Sequence, residues 1–135
     1  MTIDMSQFRQ VFFEESLEGL EAMESGLLQL DEGYTDDEVI NTIFRAAHSI
    51  KGGSGTFGLQ ELASFTHVLE SLLDEMRSGR RQVSQTAVGL LLESVDVLRG
   101  MLLASRDGTT QDQSRIQQLQ NALETLWRAD VVPPV

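Results

Sequence analysis

From Phe8 onward, apolar residues recur every three or four positions, the spacing that lines up one face of an α-helix. Phe8, Phe12, Leu20, Met23, Leu27 and Leu30 make the first such stripe, with Glu14, Glu18, Glu21 and Glu24 set away from it. Gly33 follows as a left-handed stop. Both prolines stand at 133 and 134, so nothing upstream breaks a helix. Four further helices are expected. Thr35 and Glu38 form a capping box, with Tyr34 and Val39 as its hydrophobic staple, and open the second. The third runs from about Leu59 to Ser78, carries Leu62, Phe65, Leu69, Leu72 and Met76 on one face, and stops at Gly79. Ser84 starts the fourth, stapled by Val83 and Val88, with Leu91, Leu92, Val95, Leu98 and Leu102 along it. Thr110 and Gln113 box the fifth, whose inner face is Ile116, Leu119, Leu123 and Leu126. No segment sustains period-two alternation, so strands are not expected. Short connections make consecutive helices antiparallel. The predicted fold is all-α: an up-down antiparallel four-helix bundle, with a fifth, C-terminal helix packed outside it or at an end.

Composition narrows the partners. A chain of 135 residues, 41% hydrophobic, suits one domain with a modest core. A net charge of −11 argues against nucleic acid, which needs clustered Lys and Arg, and against an anionic membrane. The absence of cysteine excludes disulfide scaffolds and thiolate metal sites. The opening residues Met1 to Ser6 lack the basic and apolar pattern of a signal peptide, and no apolar run approaches the ~20 residues of a membrane span. The expectation is a cytoplasmic, monomeric domain over residues 1–130. Val131, Val132, Pro133, Pro134 and Val135 then begin a linker within a longer chain.

The second helix works against its own propensity. At about 100° per residue, Val39, Ile43, Ala46, Ile50 and Phe57 form its core stripe and His48 points away from them. A lone histidine is ordinarily a solvated or structurally paired residue. Its neighbours shift that balance. Gly52 and Gly55 lie on the His48 face with Gly53 between them, and each glycine costs a helix roughly 1 kcal/mol relative to alanine. Either the helix ends at Lys51 and the glycines form a loop, or it continues to Phe57 and they clear the surface beside the imidazole for a bulky partner. The phase of Phe57 favours the second. Lys51, the chain's one lysine, stands three residues beyond His48, and an ammonium there suits phosphoryl oxygens. If the second and third helices turn near Gly58, positions summing to about 117 share a height. Glu70 then stands near His48 and His67 near Lys51. A Glu70 carboxylate there accepts from Nδ1–H of His48, which leaves Nε2 free and stabilises charge developing on the ring. On spacing alone, Glu70 and His67 serve equally well as solvated surface residues.

Other motifs fail on context. Gly53-Ser54-Gly55-Thr56-Phe57-Gly58 matches G-x-G-x-x-G but follows a helix, with no strand–helix–strand unit around it. Lys51 precedes the glycines, so this is no phosphate-binding loop of the Walker type. Two histidines without cysteine make a poor zinc site, and Asp31, Glu32, Asp36, Asp37 and Glu38 lack calcium-loop spacing.

The stretch from Phe44 to Gly58, FRAAHSIKGGSGTFG, closely resembles the phosphorylation segment of histidine phosphotransfer domains. Together with Thr66 to Gly79 and the opening Phe8…Phe12-Phe13-Glu14-Glu15, it is similar to the N-terminal phosphotransfer domains of chemotaxis histidine kinases. The resemblance covers the first four helices. It implies that His48 carries the phosphoryl group, that Lys51, His67 and Glu70 surround it, and that Arg45, Gly52 and Gly55 lie on the docking face. It implies no cofactor on this domain. Mg-ATP is expected on a separate kinase domain of the same protein, acting in trans within a dimer. A receiver domain carrying Mg²⁺ and an acceptor aspartate is the expected second partner. Two rivals are an adaptor bundle that binds partner helices without phosphorylation, and a stand-alone relay protein never fused to a kinase.

Overall fold

The computed structural model describes residues 5–33 and 36–129. They form five helices: α1 Met5–Asp31, α2 Asp37–Thr56, α3 Gln60–Arg77, α4 Gln85–Asp107 and α5 Gln113–Ala129. No strand occurs among the described residues. Helix α1 packs between α2 and α4, α2 lies along α3, and α5 rests against both α3 and α4. The up-down bundle is therefore as expected, and the fifth helix covers the seam between α3 and α4.

One continuous core runs through all five helices and includes Phe13, Leu20, Leu27, Ile43, Ile50, Phe65, Leu69, Leu91, Leu98 and Leu123. Gly26 sets the close approach of α1 to α2, since a Cβ there would stand 2.8 Å from Ile43 Cγ1, whereas one on Gly19 would meet Ala46 Cβ at an ordinary 3.7 Å. Buried hydroxyls are satisfied within their own helices, Ser54 donating to the Ile50 carbonyl at 2.6 Å and Thr66 to that of Leu62 at 2.6 Å. Arg81, only 3% exposed, donates to the carbonyls of Leu126 and Trp127 and pairs with Glu75 at 3.0 Å. It pins the C-terminal end of α5 to the α3–α4 connection.

Several sequence expectations change in detail. Helix α1 begins at Met5, and Phe8 is 57% exposed rather than buried. Phe12 already packs on Phe57, the C-cap of α2, with ring centroids 5.4 Å apart, so a residue one turn earlier lies past the end of α2. Tyr34 and Thr35 lie outside the described residues. The N-cap of α2 is Asp36, whose carboxylate accepts from Glu38 N at 2.9 Å. Helix α5 is likewise capped by Asp112, which accepts from Ser114 N and Arg115 N, instead of by Thr110. In both, a carboxylate also meets the positive end of the helix dipole, an advantage a threonine hydroxyl lacks. Ser84 caps α4 as expected, accepting from Ala87 N at 3.1 Å. Residues 131–135, read as a linker, lie outside the described residues.

Candidate functional site

Helix α2 runs unbroken through Gly52, Gly53 and Gly55 to Thr56, so the glycines are helical and not a loop. Its buried stripe is Ile40, Ile43, Ala47, Ile50 and Ser54, while Val39, Ala46 and Phe57 are only half-buried. The stripe is thus rotated from the expected one. His48 stands about 120° from its centre, on the flank toward α3, and not directly opposite the core. That flank position is what brings it to Glu70.

Glu70, on α3, has a side chain 14% exposed, and both its oxygens are engaged. Oε2 lies 3.0 Å from His48 Nδ1, and Oε1 accepts from Lys51 Nζ at 2.7 Å. Burial pushes the Glu70 carboxyl up, but hydrogen bonds from Lys51 and His48, with the nearby Lys51 charge, outweigh it and hold the pKa below the ordinary glutamate value. An ionised carboxylate only accepts, so Nδ1 carries the proton and the lone pair is on Nε2. The His48 side chain is 63% exposed. A ring oriented from below and open above is a nucleophile in waiting.

The rest of the predicted site divides. His67 is exposed one turn before Glu70 and has no hydrogen bond to the His48–Glu70–Lys51 group, so the expected supporting network lacks it. Gly52 and Gly55 face open space, where an added Cβ would touch nothing. Gly53 differs: a Cβ there would collide with the Phe12 ring, so this glycine serves the packing of α1 on α2. Arg45 is exposed beside a groove between α1 and α2 that Glu15 and Ser49 also line.

Two neighbours escaped the sequence reading. The Phe44 ring lies nearly parallel to the His48 imidazole, 16° between planes and 6.0 Å between centroids. The Arg77 guanidinium of α3 sits 3.9 Å from the Phe44 centroid and pairs with Asp74 at 2.7 Å. Phe44 was detectable as the residue four before His48, one turn below it. Arg77 was not, because its reach across to α2 depends on the helix-pair geometry.

The family model for the Hpt domain matches residues 7–129. The chain belongs to the Hpt domain family. Over 129 residues, 96% of its length, this Hpt domain is 47% identical to chemotaxis protein CheA of Rhizobium meliloti strain 1021, of which it covers 17%. Over 126 residues, 93% of its length, it is 44% identical to chemotaxis protein CheA of Salmonella typhimurium strain LT2, of which it covers 19%. The chain therefore spans less than a fifth of these relatives. Among solved structures it resembles the phosphorylated P1 domain of CheA3 in complex with CheY6 from R. sphaeroides, with TM-score 0.84 and 26% identity over 92% of this chain and 98% of that one. The solution structure of the histidine phosphotransfer domain of CheA matches with TM-score 0.77 and 27% identity over 91% and 93% of the two chains. Family and fold are as the sequence led us to expect, and the chain is a phosphotransfer module of the kind found in CheA. Among the described residues no helix is long and apolar enough to cross a membrane.

Proposed function

We propose that His48 accepts the γ-phosphoryl group of ATP from a kinase domain and passes it to an aspartate of a receiver domain. The carrying observation is Glu70, whose two oxygens hold His48 Nδ1 at 3.0 Å and Lys51 Nζ at 2.7 Å beside a glycine-cleared surface. In loading, the Nε2 lone pair forms the N–P bond as the bond from phosphorus to the ADP oxygen breaks. The proton on Nδ1 stays in place, and Glu70 balances the positive charge that appears on the ring. In unloading, the receiver carboxylate forms an O–P bond, the N–P bond breaks, and the pair returns to Nε2. Such transfers depend mainly on positioning and charge stabilisation, which a small helical surface supplies.

The kinase domain, with its Mg-ATP, is a separate domain of the same longer protein and acts in trans within a dimer. The receiver brings its own Mg²⁺. The domain ends near residue 130 and a linker follows, and the isolated bundle is a cytoplasmic monomer. Lys51 meets the phosphoryl oxygens, and Arg45, Gly52 and Gly55 lie on the face that partners cover. The CheY6 complex of the R. sphaeroides P1 domain supports a receiver as the partner. Incubation with the kinase domain and Mg-ATP is expected to give an acid-labile, base-stable phosphate that His48→Gln abolishes with helicity intact. Labelling that survives in this variant overturns the assignment.

A further inference from the structure

We infer that Phe44, held by Arg77, is a positioning residue that fixes the plane of the His48 ring and closes one side of it to partners. In a helix, side chains lean toward the N-terminus, so the His48 imidazole leans over the turn that carries Phe44. The rings are 16° from parallel with centroids 6.0 Å apart, within the range of offset stacking. Phe44 is half-buried and leads from the core flank to the surface. Its ring is held from α3 by the Arg77 guanidinium, 3.9 Å from the centroid, which Asp74 anchors at 2.7 Å.

One hydrogen bond does not define a ring. The Glu70 contact sets which nitrogen is protonated and where Nδ1 lies, but the imidazole still rotates about that contact. A flat surface against its face removes this freedom. Together the two contacts aim the Nε2 lone pair in one direction, and in-line phosphoryl transfer rewards such aim. The turn on the other side of His48 carries Gly52, where an added Cβ would touch nothing. An aromatic wall four residues before the histidine and a bare backbone four residues after it make the approach one-sided.

This inference rests on His48 being the phosphoryl carrier, and its test is arranged so that the two fail separately. Phe44→Leu keeps apolar bulk without the flat ring, Phe44→Tyr restores the ring, and Arg77→Met keeps the stem without the cation. Side-chain NMR of the unphosphorylated domain reads the His48 rotamer and tautomer with no kinase present. In Phe44→Leu the rotamers are expected to mix while the Nδ1–H tautomer persists. Loading by the kinase domain should fall about threefold to tenfold in kcat with KM little changed. Phe44→Tyr should restore both readouts, and Arg77→Met should fall between. Parental rotamers and kcat in Phe44→Leu, or a loss that Phe44→Tyr does not restore, overturn the inference. A parent domain with ordered rotamers that takes no label at His48 instead overturns the phosphotransfer assignment.

Discussion

Replacing Glu70 with alanine would leave two donors, His48 Nδ1 and Lys51 Nζ, without their shared acceptor. The expected outcome is a mixture of His48 tautomers by ¹⁵N NMR and slower loading that does not reach zero, since part of the population keeps Nε2 free. Donation to a receiver should suffer less, because His48 is then the leaving group. Unchanged tautomers would show that the Glu70 contact does not orient the ring. Acid should act in the same direction. The folded Glu70 pKa lies below its ordinary value of 4.5, so its stabilising contribution is fully present above that value and is lost as pH falls through the folded one. Urea denaturation of the parent and Glu70→Gln should therefore show the parent's advantage shrinking on acidification. An advantage that grows instead would reverse the sign of the coupling.

At the level of the helix, neighbouring glycines of α2 serve different ends. Gly52→Ala adds a methyl to open space and should raise stability by about 0.5–1 kcal/mol, through lower unfolded-chain entropy and better helix propensity. Gly52→Leu should keep that stability and slow both loading and unloading, because its bulk stands where partners dock. Gly53→Ala should cost about 1–3 kcal/mol, because its methyl meets the Phe12 ring. Thermal melts of the three variants check the order. The sequence carried the glycine cluster and its unusual cost but could not divide it, since the division depends on where α1 crosses. Helix number, order and most core stripes were legible because heptad-like spacing and glycine stops are local signals. The α2 phase was misjudged by about half a residue, roughly 50° of rotation, because half-buried flanks, such as Val39 and Ala46, look like core in a pattern of apolar letters. The His48–Glu70 pair was reachable from hairpin register, whereas His67, similarly placed in that register, points to solvent.

Across the whole molecule, α5 is tied down by a buried cation. Arg81→Met should cost about 2–4 kcal/mol, since Glu75 and the carbonyls of Leu126 and Trp127 lose a partner. Hydrogen exchange should quicken along α5 while the His48 tautomer stays as in the parent, because the lost contacts do not touch that site. Faster exchange confined to α2 would point to a different coupling. The engagement of Lys51 has a wider consequence. Its ammonium is already shared with Glu70 when a phosphoryl group arrives, and that group brings nearly two negative charges, offset only in part by the positive ring, to a chain at −11. The loaded bundle is thus a reluctant courier: its own surface repels the cargo, and any receiver that offers a cation draws it away.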